Sequence, residues 1–240
     1  MHHINDWKVG NAKGFSLIEV IAAMAAGLVV LGAALQAVLY FQREFSRQHQ
    51  QIMQQQDVRL GLELFAQEVR LAGESLSLVR SDAIEFTANI GGYMTNMTAP
   101  AAAGQTTVTV DDGRGWPESK LIRICWSDQC EILTLARTGQ RYLLTLVEPI
   151  PRPIPSGASV TIMNRVRYYS RPDERGRLRW LRQIDGGASV IAYDIGRLRM
   201  SYWDSLGRPT THPESVRRIL VEVALLGRVT AESREIGLRI

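Results

Sequence analysis

Lysine is nearly absent from this chain. Lys8, Lys13 and Lys120 are the only ones, so arginine supplies the other 25 of the 28 basic residues (28 − 3). Such a bias fits codon composition as well as anion recognition, and a formal charge of +4 assigns no partner. Thiols are also scarce. Cys125 and Cys130 are too few to close a tetrahedral metal site, and His2, His3, His49 and His212 show no ligand spacing around them. No Ser/His/Asp order, P-loop or metal cluster occurs, and Gly113-Arg114-Gly115 is too short to cradle a phosphate. The chain therefore reads as a non-enzyme with no cofactor. With 45% apolar residues and ordinary glycine and proline content, it is neither disordered nor collagenous.

What is present is concentrated at the N-terminus. Residues 1–14 are polar and carry Lys8 and Lys13. Phe15 to Phe41 then runs apolar with one charge, Glu19. A membrane-spanning helix needs about 20 apolar residues, so this segment is long enough. The preceding lysines favour a cytoplasmic N-terminus. A secretory signal would place a small-residue cleavage site after the apolar core, whereas the plausible break here, Lys13-Gly14-Phe15, precedes it. Cutting there leaves the apolar helix on the product. Glu19 inside that helix is expensive, by about 2.5 kcal/mol or more at a bilayer centre, which marks it as functional or as snorkelling to the headgroups. Ala22/Ala26 and Ala23/Gly27 are small-xxx-small pairs that let helix backbones approach in lipid.

The sequence Gly14-Phe15-Ser16-Leu17-Ile18-Glu19 resembles the type IV prepilin cleavage motif. The resemblance implies that a membrane prepilin peptidase cuts after Gly14 and methylates the new N-terminal Phe15. It implies further that Glu19 pairs with the Phe15 amino group of an adjoining subunit, setting the stagger in a filament core. Many major pilins carry a proline within this helix. Here the first proline is Pro100, which is easier to reconcile with a minor pilin.

Beyond Phe41 a polar, glutamine-rich stretch free of glycine and proline leads into Val58, Leu62, Phe65, Val69 and Ala72. Their spacings of 4, 3, 4 and 3 make an amphipathic stripe, with Gly73 as the expected stop. Short strand-like runs follow: Ile84–Asn89, Thr106–Val110, Leu121–Trp126, Glu131–Arg137, Tyr142–Val147 and Ser159–Met163. Arg165–Tyr169, Arg177–Leu181, Val190–Tyr193, Leu198–Trp203, Ile219–Leu226 and Ile236–Ile240 complete the pattern. Turn clusters separate them, and 99–104 reads as a flexible loop. Cys125 and Cys130, with four residues between them, fit a short disulfide closing a hairpin. That pairing calls for an oxidising compartment, placing the domain outside the cytoplasm.

The expected architecture is α+β: a long N-terminal helix packed on an antiparallel sheet, which looks like the pilin fold. Its parts are a leader at 1–14, a membrane or filament-core helix at 15–41, an amphipathic continuation at 42–73 and a β-rich periplasmic or extracellular domain at 74–240, with no clean second domain. More narrowly, Leu64–Gly73 is similar to the Leu-x-x-Asp/Glu-φ-Arg-x-x-Gly pattern (φ apolar) of PilW-type minor pilins and GspJ-type pseudopilins. Tyr168-Tyr169 with Leu178-Arg179, and Tyr202-Trp203-Asp204 with Gly207, look like their hairpins. The resemblance implies a minor type IV pilin of an initiation or tip complex. Its partners are prepilin peptidase, other minor and major pilins, the inner-membrane assembly platform and the lipid bilayer. A pseudopilin of type II secretion is the runner-up. Arginines from Arg165 to Arg182 interleave with Tyr168, Tyr169 and Trp180, but this is also the look of a solvated hairpin face, so nucleic acid in a DNA-uptake role is the least favoured reading.

Overall fold

The computed structural model describes residues 16–72, 76–228 and 230–238. Gly14, Phe15, the expected stop Gly73 and the last two residues of the expected C-terminal strand lie outside them. The chain divides into two compact units, Met1–Ile52 and Met53–Ile240, and one helix, α1 (Leu17–Ala72), contributes to both.

In the first unit α1 is long and apolar enough to cross a membrane, and its most apolar window has no buried residue. In the second unit α1 becomes the spine of a β-rich body. Val58, Leu62, Phe65, Val69 and Ala72 are all buried, as their spacing predicts, joined by Gly61, Ala66 and Glu68. Gly61 has a specific reason to be there. A Cβ on it would lie 2.2 Å from Ile191 Cγ2 and 2.8 Å from Trp180 Cζ3, so the helix seats on the sheet only because that atom is missing.

The strands are β1 (Leu76–Val79), β2 (Ala83–Ala88), β3 (Met94–Asn96), β4 (Thr107–Thr109), β5 (Leu121–Trp126) and β6 (Gln129–Thr134). They continue with β7 (Leu143–Thr145), β8 (Ser159–Pro172), β9 (Leu178–Ile184), β10 (Gly187–Trp203), β11 (Arg218–Leu225) and β12 (Ala231–Gly237). The main sheet runs β1-β2-β8-β9-β10-β11-β12. β3 and β5 also pair with β8, β6 pairs with β5, and β4 pairs with β7 apart from the rest. Each of these pairings is antiparallel, the α+β arrangement expected of short strands in succession. It is not a simple meander, because β2 pairs with β8 and the chain between them folds outward.

That excursion has a core of its own. Met97, Val110, Trp116, Ile122, Ile124, Leu135, Leu144 and Ile154 form one cluster, while α1 and the main sheet share a second built on Phe65, Phe86, Tyr168 and Trp180. The 14-residue β8 serves both, Val160 and Ile162 in the first and Val166 and Tyr168 in the second. The sequence reading splits β8 at Asn164. The strand continues there because the Asn164 side chain bonds to other elements rather than to its own backbone, accepting from Ile90 N–H (3.2 Å) and donating to Asp185 Oδ2 (2.7 Å). β10 is likewise one strand where the sequence suggests two. Asp194 at φ 53° and two register shifts bend it without ending it. Segment 99–104 differs from the loop expected, since Ala101 exchanges both backbone hydrogen bonds with Ile154 and Gly104 N–H donates to Ile150 O. Strands β1 and β3 have no counterpart in the sequence reading. Each is four residues or fewer, too short for alternation to show.

Candidate assembly site

Helix α1 begins with a reciprocal cap. Ile18 N–H points to Ser16 Oγ at 3.4 Å, and the Glu19 side chain folds back so that Oε2 accepts the Ser16 N–H at 3.0 Å. This is the Ser-x-x-Glu capping box, which satisfies amide donors that the first helical turn leaves free. The carboxylate also lies in the first turn, where the helix dipole favours negative charge. Glu19 is thus exposed and held in the first turn of the helix, four positions after Phe15 in the sequence. Gly14 and Phe15 themselves fall outside the described residues.

Along the rest of this half, fourteen large apolar side chains from Leu17 to Phe41 stand exposed. Burying each is worth about 1.5–3 kcal/mol, so such a surface belongs in lipid or against other protein. An added Cβ at Gly27 or Gly32 meets nothing within 4 Å, so no described residue packs on the small-residue face that Ala23/Gly27 suggested.

The other half of α1 is locked down. Glu68 is 4% exposed on the core face. Its Oε2 accepts from Tyr168 Oη (2.6 Å) and from Arg182 Nε (2.9 Å), and Arg182 Nη2 reaches Oε1. Burial first, and then the Glu68 carboxylate, push the Tyr168 hydroxyl well above the usual tyrosine range, so it stays a donor. The bond to Glu68 raises Arg182, whose charge completes the pair. Arg59–Glu232 (3.1 Å) and Glu63–Arg234 (3.0 Å) then pin β12 to the same helix with opposite polarity. The sequence motif contains Glu68, yet nothing in it names Arg182 as the partner. The available signal was a carboxylate three residues after Phe65, on the apolar stripe.

Cys125 and Cys130 face each other across β5 and β6, with Sγ–Sγ 2.05 Å and Cα–Cα 4.1 Å. The hairpin turns through Ser127-Asp128, with Ser127 at φ 48°. At the joint between the two clusters, Asp185 accepts from Lys120 Nζ (2.5 Å), Asn164 Nδ2 (2.7 Å) and Arg165 N–H (2.8 Å). Burial alone would raise that carboxyl, but these donors outweigh it and hold it below the usual carboxylate range. No group of three or more His, Cys, Asp or Glu side chains suited to a metal occurs among the described residues.

Residues 10–35 match the family model described as the prokaryotic N-terminal methylation motif. The match covers the prepilin-like hexapeptide and the start of the exposed apolar helix. It gives the chain the N-terminal signature of type IV pilin and pseudopilin precursors, a class processed by prepilin peptidase and assembled with other pilins. Comparison with the curated proteins and with the solved structures finds no match.

Proposed function

We propose that the protein is a minor pilin of the PilW type that helps initiate or cap a type IV pilus. One observation carries the reading: a methylation-type N-terminus opens a helix whose apolar half is wholly exposed and whose other half is the spine of a β-domain. In this scheme residues 1–14 are removed, 15–41 span the inner membrane with the N-terminus inside, and 42–73 lead into a periplasmic domain over 74–240. Peptidase cuts between Gly14 and Phe15 and methylates Phe15. Lateral extraction, driven by a separate cytoplasmic ATPase, then brings the helix into a bundle of siblings. The Cys125–Cys130 bond supports the oxidising side of the membrane for the domain.

Glu19 has two roles to separate. It accepts the Ser16 N–H in its own chain, and it is the carboxylate that would meet the Phe15 ammonium of a neighbour. Glu19→Gln keeps an acceptor for the cap and loses the charge, whereas Glu19→Ala loses both. Both variants are expected to insert in the membrane and both to fail in incorporation. Normal incorporation of the Gln variant would refute the charge pairing. Mass spectrometry of the envelope form tests the broader claim, which requires a methylated Phe15 at the amino end. A product beginning at Met1, or one lacking the apolar segment, would end it. Copurification separates the runner-up: minor pilins support the pilus, and secretion pseudopilins point to a GspJ-like role.

A further inference from the structure

The face of the main sheet turned away from α1 carries an unbalanced charge. On β8, Val166 and Tyr168 point into the core, so Arg167, Tyr169 and Arg171 line the opposite face. On β9, Trp180 is buried and Arg182 reaches the helix, which puts Arg179 and Leu181 on that same opposite face. The register sets Tyr169 against Leu181 and Arg171 directly against Arg179. Facing Cβ atoms in such pairs are about 4.5–5.5 Å apart, and like charges placed so are destabilising.

Four other arginines of this region are paired with carboxylates. Arg165 meets Glu85, Arg177 meets Asp173 and Asp194, Arg182 meets Glu68 and Arg218 meets Glu235. Arg167, Arg171 and Arg179 have no ion pair among the described residues. Asp173, at the hairpin tip, is taken up by the Arg175 and Arg177 N–H groups and feels Arg179 only through space. Arg167 lies over the Tyr169 ring at 4.9 Å, which draws guanidinium and ring together at the middle of the cluster. The Nε–H groups of Arg167 and Arg179 are shielded from water and meet no acceptor. An unmet buried donor is costly, and one of the two belongs to Arg179, a member of the like-charge pair.

We propose that Arg167, Arg171 and Arg179 form a binding site for a phosphate group, with Tyr169 and Leu181 as its floor. One anion would offset the like charges. Phosphate oxygens accept guanidinium N–H pairs side by side, and their tetrahedral spread meets donors from two strands at once. A planar carboxylate offers two oxygens in a single plane and satisfies one fork. The phosphate is carried either as a free ion or along a phosphodiester strand, with Tyr169 available to a base in the second case. The site is independent of the assembly role.

The test uses the full chain in nanodiscs of zwitterionic lipid at low ionic strength. Three probes are titrated: inorganic phosphate, a fluorescent single-stranded oligothymidylate and a polyglutamate of matched charge. Arg171→Ala and Arg179→Ala are each expected to weaken phosphate-bearing probes at least tenfold while leaving the melting temperature equal or higher, because each removes a like-charged neighbour. That combination excludes misfolding as the cause. Tight oligothymidylate with weak phosphate supports the strand as the source, with a salt slope reduced by about 0.7 for each phosphate contact removed. Tight phosphate alone supports the free ion. Binding of neither, wild-type affinity in both variants, or polyglutamate competing as well as phosphate would overturn the site.

Discussion

The two halves of α1 face the same problem and solve it differently. From Leu17 to Phe41 the helix is apolar on every side and exposes fourteen large side chains. From Val58 to Ala72 it is apolar on one stripe, and that stripe is buried to 5% exposure or less. An all-round apolar helix has no face to choose and depends on an environment outside the chain, while an amphipathic one is satisfied by its own sheet. Glycine shows the contrast at one position each. Gly61 is enforced by Trp180 and Ile191, whereas Gly27 faces open space. Carboxylates show it again, since Glu68 is neutralised by Arg182, whereas among the described residues Glu19 accepts from a backbone amide.

The largest way to break this comparison is to remove the internal partner. Glu68→Ala leaves the buried Tyr168 hydroxyl and the half-buried Arg182 charge without their acceptor, and losing one member of a buried pair costs up to about 3–5 kcal/mol. Denaturant unfolding of the full chain in detergent should show this loss with membrane insertion unchanged. An effect under 1 kcal/mol would mean the network is solvated. Next in size, Gly61→Leu overpacks the helix–sheet contact by about 1–3 kcal/mol, while Gly27→Leu leaves unfolding unchanged and weakens only association with siblings. Parallel melting curves check both, and equal effects would erase the distinction between the halves.

Acid should act on the β-domain alone. Asp185, Asp173 and Asp204 are held below the usual carboxylate range. For Asp173 and Asp204 the leading cause is an arginine backbone N–H. For Asp185, burial opposes the shift and the Lys120, Asn164 and Arg165 donors prevail. A carboxyl depressed in the folded state adds stability above its unfolded pKa of about 3.9, and loses it as pH falls through the folded value. Stability should therefore be level from neutral pH to about 5 and fall below about 4, with Asp185→Asn flattening part of that fall. A curve that declines already at pH 6 would contradict it. Smallest of all, reversing Glu63 and Arg234 together should restore most of what either single reversal loses, within the roughly 0–1 kcal/mol of an exposed pair.

Local patterns carried much of this into the sequence. The stripe at Val58, Leu62, Phe65, Val69 and Ala72 was legible because helical spacing is a local property. The capping box was written in Ser16 and Glu19, although the sequence reading took Glu19 for its charge alone. Strand β5 is legible residue for residue, since apolar, β-branched and aromatic side chains fill it and a turn bounds it. β8 and β10 each read as two strands in sequence because Asn164 and Asp194 look like breakers until their partners, seventeen or more residues away, are in place. The second hydrophobic cluster was invisible for a related reason: its members recur at no fixed period, and only pairing through β8 gathers them.

Composition and spacing alone determined that the chain has a membrane-length apolar helix, a match to the N-terminal methylation motif over residues 10–35, and an amphipathic spine leading to β-structure. These follow from interactions among near neighbours. Which groups neutralise Glu68, why Gly61 must lack a side chain, and that Arg171 confronts Arg179 were decided by the fold. Charge compensation and steric fit depend on distances through space, and residues 114 apart in the chain, such as Glu68 and Arg182, become partners only when the sheet closes on the helix.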